Sequence, residues 1–153
     1  MDYKLIIDTR EHLPLPFRKN KETRKLHAGD YAAELNGLLL PVVFDRKSPA
    51  DAMQTLMKGH ARFTRELGVA HQLQQKLIMI VECSYTNFVT KQFDGGRHSK
   101  IRPDILTKIL HSTMLSHNLE VVFCKDRSEM VKYIRNYFNA LVTYELKHNE
   151  EKY

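Results

Sequence analysis

The sequence predicts an α/β fold in which a central mixed β-sheet is flanked by α-helices on both faces. Two continuous apolar runs, Leu77 to Val81 and Leu119 to Phe123, are typical of strands that are covered on both sides. Between them, Pro103 to His117 has the pattern of a helix. With 153 residues and 42% hydrophobic content, the chain is long enough for one ordinary domain with a substantial core. We therefore expect a single domain over residues 1–153.

A β-hairpin is predicted in the first third of the chain. The apolar-rich runs Tyr31 to Leu35 and Leu38 to Phe44 are separated by Asn36-Gly37. This dipeptide tolerates the positive φ angles of a two-residue turn. Strands paired through such a turn bring Asp30 and Asp45 close together, because these acids lie at the ends of the strands away from the turn.

Two helices are predicted to follow the hairpin. Ser48-Pro49 offers an N-cap and a first-turn proline, so the first helix begins after Lys47 and ends near Gly59. Asp51 lies in its first turn, where an acid complements the helix dipole, and a catalytic role for it is equally open. The second helix covers Ala61 to Gln75. Its Arg62 and Arg65 lie on neighbouring turns, either as phosphate contacts or as part of a solvated face.

The acids at the strand ends point to a specific chemistry. Asp45 and Lys47 are two residues apart in one strand and share a face, while Arg46 points to the other face. Carboxylate oxygens are the ligands that Mg²⁺ prefers. A divalent ion held there would neutralise a phosphodiester and lower the pKa of a bound water. An isolated acid-and-lysine pair is more often a pair of solvated surface groups. The surrounding sequence must therefore distinguish a metal site from such a surface pair.

Three ordered blocks of sequence supply that wider pattern, at residues 6–11, 26–31 and 43–51. The first block ends the predicted strand Tyr3 to Asp8 with Asp8-Thr9-Arg10-Glu11, the second contains Gly29-Asp30, and the third contains Asp45-Arg46-Lys47 followed by Asp51. Together they resemble the nuclease domain of the XPF family of structure-specific endonucleases, a branch of the restriction-endonuclease-like PD-(D/E)XK fold. The resemblance continues more weakly through residues 59–63 and 77–82. The family usually has Glu where this chain has Asp45.

The resemblance implies an endonuclease, dependent on Mg²⁺ or Mn²⁺, that cuts branched or flapped DNA in repair or recombination. The implied metal ligands are Asp8, Asp30 and Asp45. Glu11 would bind metal or position water, and Lys47 would orient the attacking water. The arginines that would hold phosphates or buttress the acids are Arg10, Arg46 and Arg62. The shorter Asp45 leaves the choice of metal open. The family's helix-hairpin-helix and helicase regions are not found, so we expect the nuclease domain alone.

A basic loop is predicted at Lys91 to Arg102, around Gly95-Gly96. Its cationic side chains suit contact with a phosphate backbone, with a plain solvated connection as the alternative; they are Lys91, Arg97, His98, Lys100 and Arg102. The whole chain has 24 Lys and Arg against 18 Asp and Glu, a formal net charge of +6 that favours a polyanionic partner. We expect that partner to be DNA.

The last predicted helix begins near Met130 and carries two adjacent apolar stripes. The first consists of Met130, Ile134, Tyr137, Phe138 and Leu141, and the second of Tyr133, Tyr137, Ala140 and Tyr144. Two stripes fit either a wide core-facing helix or a core face beside an interface. The resemblance implies a homodimer through this helix. The charged segment Lys147 to Tyr153 is expected to fray.

Histidines and cysteines carry less information. The eight histidines show none of the Cys/His spacings of a zinc site, and no zinc is predicted. His12 and His27 lie near the acidic blocks, as surface groups or as substrate contacts. Cys83 and Cys124 end two predicted strands and are expected to be unpaired. No apolar run approaches the length of a membrane span, so we expect a soluble intracellular protein of the cytoplasm or nucleus.

Two alternatives to a branched-DNA nuclease stay open. One is a catalytically silent DNA-binding or scaffold subunit that pairs with an active partner, although the full set of acids favours activity. The other is a nuclease of the same fold that acts on unbranched DNA or on RNA, because nothing in the chain specifies branch recognition.

Overall fold

The computed structural model describes residues 3–151 and shows one mixed sheet with helices on both faces. The strands are β1 Lys4–Ile7, β2 Lys21–Thr23, β3 Tyr31–Leu35, β4 Leu38–Lys47, β5 Lys76–Glu82 and β6 Glu120–Cys124. The helices are α1 Pro49–Met57, α2 His60–Gln72, α3 Tyr85–Val89, α4 Pro103–His117 and α5 Arg127–Glu151. The predicted α/β class, with a mixed sheet flanked on both faces, is confirmed.

The six strands are arranged in the order β2-β1-β3-β4-β5-β6. The pairs β1–β3 and β3–β4 are antiparallel, whereas β1–β2, β4–β5 and β5–β6 are parallel. One hydrophobic core lies between the sheet and α5, and a second lies beneath α1, α2, α3 and α4. The two central strands, β4 and β5, contribute alternate residues to both cores, as expected for strands covered on each side.

The predicted hairpin forms as β3 and β4, with Asn36 and Gly37 at φ angles of 53° and 81° in the turn. Tyr31 pairs with Phe44, and the amide of Asp30 donates to the Phe44 carbonyl at 2.7 Å. β4 extends three residues beyond the predicted end, because residues 45–47 pair with β5. Asp30 and Asp45 therefore lie side by side at the open end of the hairpin.

The start of α1 matches its sequence signals. The Ser48 hydroxyl caps the helix by accepting from the Asp51 amide at 3.1 Å, and Pro49 occupies the first turn. α2 begins and ends earlier than predicted, and α4 has the predicted bounds. α4 ends at Asn118, which adopts the left-handed conformation that asparagine tolerates.

Three elements differ from the sequence-based expectations. β2 was not predicted, because its three exposed residues form a parallel edge strand without any apolar pattern. α3 is a five-residue helix capped by Ser84, too short to show a helical period. α5 begins at Arg127, three residues before Met130, and contains residues 147–151. The last two residues of the segment expected to fray lie outside the described residues.

α5 covers one face of the sheet with four fully buried residues: Met130, Ile134, Phe138 and Val142. From the second predicted stripe, Tyr133 and Tyr137 pack edge-on against Phe44, with ring centroids 6.2 Å and 5.3 Å away. These two tyrosines therefore belong to a wide core-facing surface. Tyr144 is 56% exposed and has no place in the core.

Two further expectations can be compared with the structure. Cys83 and Cys124 are buried free thiols, which confirms that they are unpaired. Among the described helices, none combines the length and the apolar character that crossing a membrane requires.

Candidate active site

A pair of buried carboxyl groups forms the centre of the site. Asp30 precedes β3, Asp45 lies near the end of β4, and Asp45 is only 3% exposed. Burial raises the pKa of Asp30 to about 6, against the opposing effect of the Arg46 amide, which donates to Asp30 Oδ2 at 2.8 Å. Burial also raises the pKa of Asp45 well above its usual range, and the Lys47 cation only partly offsets this. A side-chain hydrogen bond between the carboxyls lowers the pKa of Asp30 and raises that of Asp45.

One oxygen of this pair is left without a hydrogen bond. Asp45 Oδ2 is buried and has no hydrogen-bond partner among the described residues. Lys47 Nζ lies 3.3 Å from it and forms an ion pair with it. Burial lowers the pKa of Lys47, yet the charges of Asp45 and Glu66 outweigh burial and hold that pKa above its usual value. Lys47 is therefore a fixed ammonium beside an acceptor that still lacks a partner.

Glu11 supports the pair from the opposite face of the sheet. Its Oε2 accepts from the Tyr31 hydroxyl at 2.8 Å and from Arg46 Nε at 2.9 Å. The Arg46 side chain thus points away from Lys47, as strand alternation predicts. The Arg46 amide also donates to Asp30, and Arg46 follows Asp45 in β4. The Glu11–Arg46 ion pair therefore restrains the backbone next to both carboxyl groups.

Asp8 lies next to this centre but is fully engaged by its own loop. Its Oδ1 accepts from the Leu26 amide at 2.8 Å, and its Oδ2 accepts from Arg10 Nε at 2.7 Å. Burial opposes ionisation, but these hydrogen bonds outweigh it and hold the pKa of Asp8 below its usual range. In this geometry Asp8 fixes the backbone around β1 and β3. A metal-ligand role for Asp8 requires Arg10 to move and stays a prediction.

The structure adds Glu66 to the predicted acids. Glu66 lies on α2, where its Oε1 accepts from the Gly29 amide at 3.3 Å, immediately before Asp30. Its charge raises the pKa values of Asp45 and Lys47. Sequence reasoning singled out Arg62 and Arg65 on this helix but not Glu66. The available signal was its spacing, because Glu66 is four residues after Arg62 and so lies on the same helical face.

A cleft of about 550 Å³ opens beside the carboxylate pair, between the end of β4 and the helices α1 and α2. Its charged lining consists of Arg46, Lys47, Asp51, Lys58, Arg62 and Glu66. Asp51 thus lines the cleft and lies in the first turn of α1, where its amide donates to the capping Ser48 hydroxyl, so both of its predicted roles remain compatible with its position. Lys58, at the end of α1, is a further cation that sequence reasoning missed.

The site fits a magnesium ion coordinated by few protein ligands. Among residues 3–151, no three His, Cys, Asp or Glu side chains already converge as a metal cluster. Mg²⁺ does not need such a cage, since it commonly keeps several waters and takes one or two carboxylates together with substrate phosphate. Asp30 and Asp45 supply two carboxyls, and Asp45 Oδ2 is a buried acceptor without a partner. A cation there would also relieve the repulsion that disfavours ionisation of both groups.

The basic loop at residues 91–102 is stabilised by hydrogen bonds between its own residues. Lys91 Nζ donates to the Ser99 carbonyl at 2.7 Å and to the Ile101 carbonyl at 2.5 Å, so its charge is used inside the loop. Arg102 forms an ion pair with Asp104. Exposed cations at the loop surface are Arg97 and Lys100.

The loop lies beside the start of α1. A Cβ placed at Gly95 would be 3.6 Å from Ala50 Cβ, in the first turn of α1. The loop therefore packs near the end of β4, on the chain segment that follows Lys47. Arg62 lies in the cleft and Arg65 is exposed on the same helix. His12 and His27 are exposed, and His27 lines a separate pocket away from the carboxylates.

The mixed sheet with helices on both faces has the restriction-endonuclease-like fold. The ERCC4 domain model matches residues 7–137. The chain belongs to the ERCC4-domain family, a family of DNA nucleases, and the resemblance to XPF nuclease domains is confirmed.

Two solved structures share the fold. XPF from Aeropyrum pernix in complex with DNA has 18% identity and a TM-score of 0.64, with 94% of this chain and 65% of that chain covered. XPF from Aeropyrum pernix in a second structure has 18% identity and a TM-score of 0.67, with 97% of this chain and 69% of that chain covered. This chain thus spans about two thirds of the length of those solved chains. Among curated proteins, no sequence matches it significantly.

Proposed function

We propose that this domain is a metal-dependent endonuclease that hydrolyses phosphodiester bonds in DNA. The observation that carries the proposal is the buried pair Asp30–Asp45, with one oxygen that lacks a partner, beside the Lys47 ammonium. Such a pair is costly to bury without a cation, and clustered groups with perturbed pKa values are typical of catalytic sites.

Asp30 and Asp45 would hold Mg²⁺ or Mn²⁺ through their carboxylate oxygens. When bound, the ion would neutralise the phosphate and lower the pKa of the attacking water. Lys47 stays protonated, so it acts as a hydrogen-bond donor that orients the water or the phosphate rather than as a base. Glu66 positions the Gly29 backbone next to Asp30 and adds negative charge that favours a divalent cation.

The remaining predicted residues have supporting roles. Glu11 and Arg46 act as positioning residues, because their ion pair orients the Arg46 amide that holds Asp30. Arg62 and Lys58 form the cationic side of the cleft and would bind the backbone of the strand being cut. Asp51 lies in the same cleft and is a candidate for a second metal or water contact.

DNA is the proposed substrate and partner. The net charge of +6 and the exposed cations Arg97 and Lys100, on a loop that packs against α1, support binding to a polyanion. The solved XPF from Aeropyrum pernix with this fold was captured with DNA. By resemblance to its family, we propose branched or flapped DNA and a role in repair or recombination. Homodimerisation through α5 is part of the same proposal.

A cleavage assay tests this function directly. The protein is incubated with end-labelled flap, fork, junction, duplex and single-stranded DNA, and with RNA, in the presence of Mg²⁺, Mn²⁺ or a chelator. We expect cutting of flap or fork DNA with either ion and none with chelator. Binding without cutting of any substrate would favour the silent-subunit alternative. Preferential cutting of plain duplex or of RNA would favour the other nuclease alternative.

A further inference from the structure

Two histidines from different helices meet on the surface. His60 is the first residue of α2 and is exposed, whereas His117 is the last residue of α4 and is half-buried. Their Nε2 atoms are 3.2 Å apart, and their ring centroids are 5.0 Å apart at an interplanar angle of 51°. The residues are 57 positions apart in the chain, which is why no zinc-type spacing is visible in the sequence.

This separation is close to the one that a shared metal ion requires. A zinc–imidazole bond is about 2.0–2.1 Å long, so two imidazole nitrogens at a tetrahedral zinc are roughly 3.3–3.4 Å apart. The observed 3.2 Å also fits a hydrogen bond between two neutral rings, which uses one Nε2 proton. Metal binding needs both Nε2 atoms without a proton, so the ring that carries its proton there would change to the tautomer protonated at Nδ1, and a small rotation would then direct both Nε2 atoms at the ion.

We infer that His60 and His117 form a two-histidine site for a divalent transition-metal ion such as Zn²⁺, Ni²⁺ or Co²⁺. His60 is exposed and His117 is half-buried, so the contact between the two rings is open to solvent and water can complete the coordination. The site differs in chemistry from the Asp30–Asp45 pair. Imidazole nitrogen selects borderline transition ions, whereas carboxylate oxygen suits Mg²⁺ and Mn²⁺. The two sites therefore select different ions.

An ion at this site links the first residue of α2 to the last residue of α4. Helix α2 also contributes Arg62 and Glu66 to the cleft, within the two turns that follow His60. Binding would therefore restrain the helix that forms one wall of the cleft. The inference itself does not rest on nuclease activity, because it depends only on the two imidazoles.

Calorimetric titration with Ni²⁺ tests the site. The titration is done in excess Mg²⁺, which occupies carboxylate sites and binds imidazole poorly. We expect the unmodified protein to bind one Ni²⁺ per chain, and His60→Ala and His117→Ala each to weaken binding by at least about tenfold. His148→Ala is the control, because His148 is exposed on α5, which packs on the opposite face of the sheet from α2 and α4. Its Ni²⁺ affinity should be unchanged.

Two further measurements keep the result interpretable. Circular dichroism without metal should show the same helical content for the three alanine variants, and thermal melting shows whether the half-buried His117 contributes to stability apart from metal binding. Asp45→Asn should keep the Ni²⁺ site, which separates it from the carboxylate pair. Equal Ni²⁺ affinity in the unmodified protein, His60→Ala and His117→Ala would overturn the inference. So would a loss in Asp45→Asn as large as that in His60→Ala.

Discussion

At the scale of single residues, the proposed chemistry depends on two acids whose environment disfavours their own ionisation. Asp45 is almost fully buried and keeps one oxygen without a hydrogen bond, and the pKa of Asp30 is raised to about 6. Folding tolerates this arrangement because Lys47 and the Arg46 amide partly compensate for the buried charge. A divalent cation would neutralise the remaining negative charge of the two carboxyl groups. The same atoms would therefore affect both the stability of the fold and the proposed catalysis.

Asp30→Asn and Asp45→Asn should each abolish cleavage while DNA binding is retained. Each change removes a metal-binding charge with little change in side-chain volume, and the cations that would contact DNA stay in place. Gel-based cleavage with Mg²⁺ and fluorescence anisotropy with chelator measure the two properties separately. Glu129→Asn on α5, distant from the cleft in the chain, serves as a charge-loss control. Cleavage at the unmodified rate in either site variant would remove that carboxyl from the proposed mechanism.

The raised pKa values predict a specific pH dependence of stability without metal. The folded state binds protons at Asp30 and Asp45 more tightly than the unfolded chain does, so the free energy of unfolding should rise as the pH falls from 7 to 5. For Asp30 this change is centred near pH 6, and its size should be on the order of 2 kcal/mol. Urea unfolding across this range measures it. Asp45→Asn should flatten the profile, and an unchanged profile in this variant would contradict the assignment.

Glu66→Gln should weaken the response to Mg²⁺ more than it weakens folding. The glutamine oxygen can still accept from the Gly29 amide, while the negative charge near Asp45 is lost. We expect a several-fold higher Mg²⁺ concentration for half-maximal cleavage, with little change in the melting temperature. Glu129→Gln is the control. An unchanged Mg²⁺ requirement would limit Glu66 to a structural role.

Much of this centre could be predicted from local sequence. The Asn36-Gly37 turn predicts the hairpin, and strand alternation places Lys47 on the face of Asp45. The register at the turn alone would pair Asp30 with Val43, however, and it is a register shift between Ala32 and Glu34 that places Asp30 beside Asp45. Glu66 could not be predicted in the same way, because its position depends on how α2 packs against the sheet. The hydrogen bond between the Leu26 amide and Asp8 joins residues eighteen positions apart, with β2 between them, so no local sequence period predicts it.

At the scale of secondary structure elements, the predictions succeeded where a local rule determines the element. Capping by Ser48 and the proline after it gave the start of α1, and a continuous apolar run gave β5. β2 and α3 were missed for physical reasons. β2 consists of three exposed residues that pair only with β1, and α3 is a single short turn of helix held by its cap.

The loop at residues 91–102 gives an element-scale prediction about DNA binding. Arg97→Ala with Lys100→Ala should lower DNA affinity and reduce the slope of log affinity against log salt by up to about 1.8, because each lost phosphate contact accounts for about 0.9. Arg102→Ala is the matched control, since Arg102 already forms an ion pair with Asp104. Its effect on the slope should be smaller. If the double variant had the slope of the unmodified protein, the loop would be only a solvated connection.

At the scale of the whole molecule, α5 determines how much of the apolar surface is left for a partner. Four residues bury one face of the helix in the core, and Tyr133 and Tyr137 extend that contact onto Phe44. The structure thus assigns half of the second predicted stripe, Tyr133 and Tyr137, to the fold itself, and leaves Ala140 and Tyr144 exposed. Tyr144 is what remains exposed at its end, so it is a cleaner probe of assembly than Tyr133.

Homodimerisation through α5 should therefore be sensitive to Tyr144→Glu. A stable dimer buries about 800 Å² on each partner, and a charge placed within its apolar part would be desolvated without compensation. Sedimentation at micromolar concentration should show a dimer for the unmodified protein and a monomer for Tyr144→Glu, with the same melting behaviour. Leu115→Glu is the matched control, because Leu115 on α4 is 85% exposed and lies on another helix. A monomeric unmodified protein would refute the dimer, and a monomer produced equally by Leu115→Glu would place the interface on α4 instead of α5.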